Sequence, residues 1–244
     1  MRRYSLRQRG RVLDGQRRDR LARMVAERVA SPGRAGWARA LCVVCVRALA
    51  GVDAAAVTLR SDHRAQELLG ASDLWASALE EAQYTAGEGP GVEAFTTGGP
   101  VLVTDLSAHR AKWPGFADLA EDEGLAAVFA FPLQLGGIRL GTLGLYRRRP
   151  GGLPSDVVAD AAVLADLTVL SLLDHSGSTD GEVRVEVSYQ DVNIATGMLS
   201  AQLRISLEDA FARLRAHAFA GRRSVLDVAR DVLARRLPLD RLAD

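Results

Sequence analysis

The spacing of apolar positions changes several times along the chain, and each change predicts an element. Residues 37–49 place Trp37, Leu41, Val44, Cys45 and Ala48 on one side at helical spacing. Residues 55–60 (Ala-Ala-Val-Thr-Leu-Arg) read as a strand, and 66–71 return as its hairpin partner after a polar turn. Residues 74–83 have helical character. Gly87-Glu88-Gly89-Pro90-Gly91 is a loop, because three glycines permit positive φ and the proline fixes its own. A short helix is expected over 92–97 and a β-branched strand over 101–104. The clearest strands are 126–135 and 138–146, joined by Gly136-Gly137, the two-residue signal of a tight hairpin. Pro132 cannot donate to a ladder and so predicts a bulge or an edge. Pro154 and Ser155 then open an apolar helix to about residue 173. Antiparallel strands with helices at either end define an α+β sheet domain.

Asp174 to Gly181 breaks the pattern and reads as a linker. Residues 183–187 alternate like a strand and are ambiguous. From Tyr189 the set Tyr189, Val192, Ala195, Thr196, Leu199 and Leu203 recurs at helical spacing. Ser206 and Asp209 stand at capping-box spacing ahead of a second stripe of Leu207, Ala210, Phe211, Leu214 and Ala218, with Gly221 expected as its left-handed cap. Ser224 and Asp227 repeat the signature before Val225, Val228, Ala229, Val232 and Leu233, and Pro238 stops the third helix. The expected domains are thus an N-terminal extension over 1–33, a sheet domain over 34–173, a linker over 174–182 and a helical domain over 183–244.

Composition narrows the function. The 244 residues are 48% hydrophobic and 25% charged, which excludes a wholly disordered chain. No apolar run is long enough to span a bilayer, and no apolar segment follows the basic start, so a reducing cytoplasm is the default expectation. The formal net charge is +1, so a nucleic-acid partner would have to be held by a local patch. The most basic stretch is 1–33, where ten arginines face three acids. This segment reads as a basic arm or a solvated tail, although Leu21, Val25 and Val29 give its second half helical spacing. Residues 180–244 carry ten arginines against ten acids, with a local surplus only over 204–223.

Little in the chain assembles as catalytic chemistry. Cys42 and Cys45 supply half a zinc site at best and lie inside an apolar helical stretch, where they read as two small buried residues. The four histidines have no ligand spacing. Asp105, Ser107 and His109 lie close together, yet no Gly-x-Ser-x-Gly elbow and no phosphate loop accompany them. No catalytic residue, metal or cofactor is expected.

Two stretches carry resemblances. Gly87-Glu-Gly-Pro-Gly-Val-Glu-Ala-Phe, Pro100-Val-Leu-Val-Thr-Asp-Leu, Trp113-Pro-Gly-Phe and Phe131-Pro-Leu with Gly141-Thr-Leu-Gly-Leu-Tyr together resemble GAF sensor domains of actinobacterial type, over roughly 34–173. Ala195-Thr-Gly-Met-Leu, the run Ile205 to Ala220 and Leu226-Asp-Val-Ala229 are similar to ANTAR domains, the three-helix RNA-binding output module of transcription antiterminators. The resemblance implies a GAF-like antiparallel sheet with flanking helices followed by a three-helix bundle that binds paired RNA stem-loops as a homodimer, without a membrane partner. On the motif match it singles out Ala195, Gly197, Met198, Ala210, Leu214, Arg215, Ala218 and Ala229. The expected RNA contacts are Ala195, Thr196, Gly197, Arg213, Arg215, Arg222 and Arg223, and the family often has lysine where this chain has Thr196. In the sensor half it implies a small-molecule pocket between sheet and helices, with Trp75, Tyr84, Phe95, Trp113, Phe116, Phe129 and Phe131 as its candidate lining. Rival readings are a DNA-binding helix-turn-helix regulator, a dimeric protein-interaction module, and an enzyme built on the sensor pocket.

Overall fold

Two helices, α1 (Arg2–Arg28) and α2 (Arg34–Ala48), lead into the sheet in the computed structural model, which describes residues 2–28, 34–61, 66–176 and 187–242. The hairpin β1 (Ala54–Arg60) and β2 (Gln66–Ala71) is followed by α3 (Leu74–Ala86), α4 (Pro90–Thr97), β3 (Val101–Val103) and α5 (Pro114–Asp122). The hairpin β4 (Ala127–Leu135) and β5 (Ile138–Arg147) precedes the long helix α6 (Ser155–Ser176). The chain ends in β6 (Val187–Ser188), α7 (Gln190–Leu203), α8 (Leu207–Ala220) and α9 (Val225–Leu233). The sheet order is β3-β4-β5-β1-β2-β6 and every adjacent pair is antiparallel. The α+β expectation holds, and its strands fall within a residue of the periodicity.

Period-two alternation assigns the two faces. Ala55, Val57, Leu69, Phe129, Phe131, Leu143 and Leu145 point to one core, closed by α1, α2 and α6. Ala54, Ala56, Leu68, Val128 and Tyr146 point to the other, closed by α3 and α5. Gly70 lets α2 lie close on the sheet, since a Cβ there would sit 2.5 Å from the Arg39 backbone nitrogen. The Cys42 thiol donates to the Gly70 carbonyl at 3.3 Å, and burial pushes the Cys45 thiol up to about 12. Both cysteines are free and buried among packing residues, and Cys45 keeps its proton. Pro132 lies beyond the end of the three-residue β3, where β4 has an open edge, and the register shifts just after it between Leu133 and Gln134.

The sequence pattern misjudged three places. The helical half of the N-terminal extension is docked rather than solvated: α1 seats Leu21 and Val25 in the first core and pairs Arg17 and Arg20 with Asp160 of α6, at 2.7 Å for Arg20, while residues 29–33 lie outside the described residues. The apolar positions of α1 found partners on α2 and α6 that local spacing does not reveal. The helix α5 went unread because it is short and its Pro114-Gly115 start resembles a turn; the proline at its first position is favourable there. Gly221 is not the left-handed cap of α8, because its φ is −83° and the helix winds one residue further to Arg222 at φ 49°. Residues 183–186 of the ambiguous alternating stretch and most of the expected linker lie outside the described residues; Val187 and Ser188 pair with Leu68 and Glu67.

The C-terminal helices form a third core of Val192, Ala195, Leu199, Ala210, Phe211, Leu214, Val228, Ala229 and Val232. The expected caps are present: Ser206 accepts from the Asp209 N–H and Ser224 from the Asp227 N–H, both at 3.0 Å. One member of this core is foreign to the bundle. Tyr84 at the end of α3 inserts between Tyr189 and Phe211, with ring centroids 4.3 and 5.6 Å away.

Candidate nucleic-acid interface and sensor site

The sensor and the bundle meet along α3. The Arg215 Nε donates to the Tyr84 carbonyl at 3.1 Å, and its guanidinium lies 4.8 Å over the Phe211 ring. The Val225 N–H donates to Thr85 Oγ1 at 3.2 Å. Arg222 reaches across to Asp122 at 3.3 Å. Glu88 accepts from the Gly115 and Phe116 N–H groups at 2.7 and 3.3 Å, which fixes the start of α5 and sets a carboxylate near Arg215. Burial lowers the Arg215 pKa, and the Arg60 charge adds to this, while Tyr84 and Glu88 oppose it. Gly87 makes this seat possible. It caps α3 at φ 73°, and a Cβ there would stand 1.5 Å from Arg215 Nη2.

All four expected RNA-contact arginines are engaged within the chain. Arg215 and Arg222 are held by the sensor, Arg223 pairs with Asp231 at 2.6 Å, and Arg213 donates to the Leu242 carbonyl at 3.2 Å. Ala195 is fully buried, and Thr196 is buried with its hydroxyl on the Val192 carbonyl at 2.7 Å, so both are packing positions here. Gly197 faces open space, beside the exposed Ile194 and Met198 of the same helix. Three arginines, Arg204, Arg222 and Arg235, hold left-handed backbone after α7, α8 and α9, a conformation that favours glycine.

The seven candidate aromatics of the sensor do not line one cavity. Trp113 and Phe116 pack in the α3/α5 core with Trp75 against it, whereas Phe129 and Phe131 face the opposite core and Tyr84 belongs to the bundle. Trp75 donates to the Glu123 carbonyl at 2.7 Å and lies under Arg148. Phe95 borders a void of only about 10 Å³ under α4. The alternation within β4 put Phe129 and Phe131 on one face, but only the packing shows that Trp113 and Phe116 lie on the other.

What fills the space instead is polar. Arg60 on β1 pairs with Glu80 on α3 at 3.2 Å, both buried. Glu80 also accepts from the Tyr146 hydroxyl and from Gln83 Nε2, and Gln83 Oε1 accepts from the Gly91 N–H at 2.7 Å, which anchors α4. Burial, reinforced by the Glu80 charge, holds the Tyr146 hydroxyl well above its ordinary pKa, so it stays protonated and donating. Sequence reading passed over this network because its members are scattered over four elements. Asp105, Ser107 and His109 form an exposed local turn, with Ser107 Oγ donating to Asp105 and the His109 ring on the Asp105 carbonyl, and no nucleophile–base pair is assembled. Among the described residues no cluster of metal ligands is present, and no helix is long and apolar enough to cross a membrane.

The architecture is an antiparallel sheet with helices on both faces, followed by a capped three-helix bundle. The GAF domain model matches residues 35–172 and the ANTAR domain model residues 188–233. The chain belongs to the GAF domain family and carries a C-terminal ANTAR domain; GAF is a sensor domain and ANTAR an RNA-binding antitermination regulatory domain. Among solved structures it is similar to the GAF domain of a phosphoenolpyruvate-protein phosphotransferase from Acinetobacter, at 16% identity and TM-score 0.52, covering 66% of this chain and 96% of that one. The corresponding domain from Coxiella burnetii gives 18% identity and TM-score 0.51 over 66% and 95% of the two chains. These likenesses show the fold. No curated protein matches the chain.

Proposed function

We propose that this chain is a signal-responsive regulator, working as a homodimer in the cytoplasm, that binds RNA stem-loops through α7–α9 and acts in transcription antitermination, with the GAF domain sensing a small molecule. The observation that carries this reading is the seat of Arg215 and Arg222. The sensor offers them a carbonyl and a carboxylate, the kind of oxygen acceptors that an RNA loop and backbone would offer. The arrangement described above is then a closed form, and RNA competes with the sensor for the same guanidinium groups. The strained arginines fit the same reading, because backbone in sparsely populated conformations persists where function retains it. Ile194, Met198 and Ala201 on α7, with Leu170 and Leu173 on α6, are exposed and supply apolar faces for a second copy.

The test is binding of the full chain to a two-hairpin leader RNA across a salt titration. A steep fall in affinity with salt is expected, with weakening by Arg215→Ala and Arg222→Ala and with poor competition by duplex DNA. Met198→Asp is expected to shift the chain toward monomer in sedimentation. Binding that ignores Arg215→Ala, or equal competition by duplex DNA, overturns the assignment.

A further inference from the structure

Four neighbouring residues on the α3-covered face of the sheet carry buried polar atoms without a partner among the described residues. They are Thr58 Oγ1 and Arg60 Nε on β1, both amide atoms of Gln66 on β2, and Thr142 Oγ1 on β5. They are contiguous, since Thr58 pairs in register with Thr142 and Arg60 with Gln66. Thr58 and Thr142 are fully buried, Gln66 is 4% exposed and Arg60 7%. Buried polar groups are ordinarily satisfied, and Glu80, Gln83 and Tyr146 on the same face satisfy one another. A patch of orphans beside a completed network therefore points to a missing partner.

A cavity of about 680 Å³, within the range of small-molecule sites, opens at the Arg60–Gln66 end of this patch, while Thr58 and Thr142 lie behind its lining. Arg60 and Gln66 line it from the sheet and Arg139 from β5, while Ser188, Gln190 and Asn193 line it from the start of the ANTAR domain. Arg139 rests one nitrogen on the Thr96 carbonyl and has no carboxylate partner among the described residues. The opposite wall is the first turn of the 14-residue α7, the positive end of its dipole. Among the described residues of this lining, Glu67 is the one acid beside the two arginines.

We propose that this seam binds a small metabolite through an oxyanion, a carboxylate or a phosphate, with Arg60, Arg139 and the Gln66 amide as its donors and the first turn of α7 closing over it. The site is shared by both domains, so its occupant bridges them and favours the closed arrangement. That consequence, unlike the site itself, rests on the RNA-binding reading given above.

The test uses the full chain in thermal melts and titration calorimetry with inorganic phosphate and with citrate, at an ionic strength fixed with chloride. A saturable rise in Tm is expected with at least one of them, and which one separates a phosphate from a carboxylate ligand. Gln66→Leu and Arg139→Ala are each expected to weaken that binding tenfold or more. Gln66→Leu is expected to melt at or above the parent without added anion, since it removes an orphan amide. Arg60 is left intact because its loss strands Glu80. The absence of any saturable shift beyond chloride overturns the site, as does a shift that both variants retain, which is a general salt effect. In the same buffers the bound anion is expected to raise the apparent Kd for the two-hairpin RNA; binding of the anion without that rise overturns the bridging role. Should no RNA bind under any condition, the function proposed above fails while the calorimetry still decides the site.

Discussion

Replacing Gly87 with alanine is expected to open the molecule. The residue sits at φ 73°, where a non-glycine residue costs about 1 kcal/mol, and this falls on the sensor itself. The larger effect is steric. The new Cβ would lie 1.5 Å from Arg215 Nη2 and 2.1 Å from its Cζ, so the guanidinium must leave its seat. Leaving breaks the 3.1 Å bond to the Tyr84 carbonyl, a charged hydrogen bond of roughly 1.5–3 kcal/mol, and disturbs the contact over Phe211. A docking loss of about 2 kcal/mol multiplies the open population about 30-fold until it saturates. In fluorescence anisotropy with a two-hairpin RNA, the apparent Kd of Gly87→Ala is expected to fall by up to that factor, with a Tm a few degrees lower. Arg215→Ala loosens the same interface but removes the RNA contact, so it is expected to gain nothing. A folded Gly87→Ala protein that binds RNA no tighter than the parent refutes the closed-form argument. Equal gains in both variants refute the role of Arg215.

Three further outcomes are expected. Glu80→Ala leaves Arg60 buried without its partner and is expected to cost roughly 3–5 kcal/mol, read as a lower denaturation midpoint. Glu81 is held above the ordinary carboxylate range by burial, with Asp227 adding and the Ser224 hydroxyl and Arg230 opposing. A carboxyl with a raised folded pKa contributes full stability below its unfolded value and loses that contribution as pH rises through the folded value. Glu81→Gln is therefore expected to melt above the parent at pH 7 and to converge with it in acid; parallel Tm curves between pH 4 and 8 would refute this. Arg204→Gly relieves a left-handed residue at φ 55° and is expected to stabilise the bundle by about 1 kcal/mol, whereas Arg204→Ala is not.

Much of the fold was legible because it is written in local periods. The β4–β5 hairpin follows from alternation around Gly136-Gly137, and Ser206 and Ser224 mark helix starts by their own hydrogen bonds. The site was less legible. Arg215 looks like any exposed arginine of an amphipathic helix, and only its contact 131 residues away turns it into an interface residue. The aromatic lining failed for a different reason. Phe129 and Phe131 share a face by parity, and nothing in the aromatic content showed which face a ligand would use. The polar patch was invisible because Thr58, Arg60, Gln66 and Thr142 converge only when β1, β2 and β5 pair.

The two-residue β6 has a cost that shows only when it lets go. While Val187 and Ser188 sit beside Leu68 and Glu67, they occupy part of the margin of β2. Any opening that frees α7 from the sensor also strips this short ribbon and leaves bare main-chain donors and acceptors on a strand that is mostly buried. Such an edge templates pairing with other chains, so the activated molecule is expected to be the more adhesive one, and long residence in that state carries a penalty in solubility.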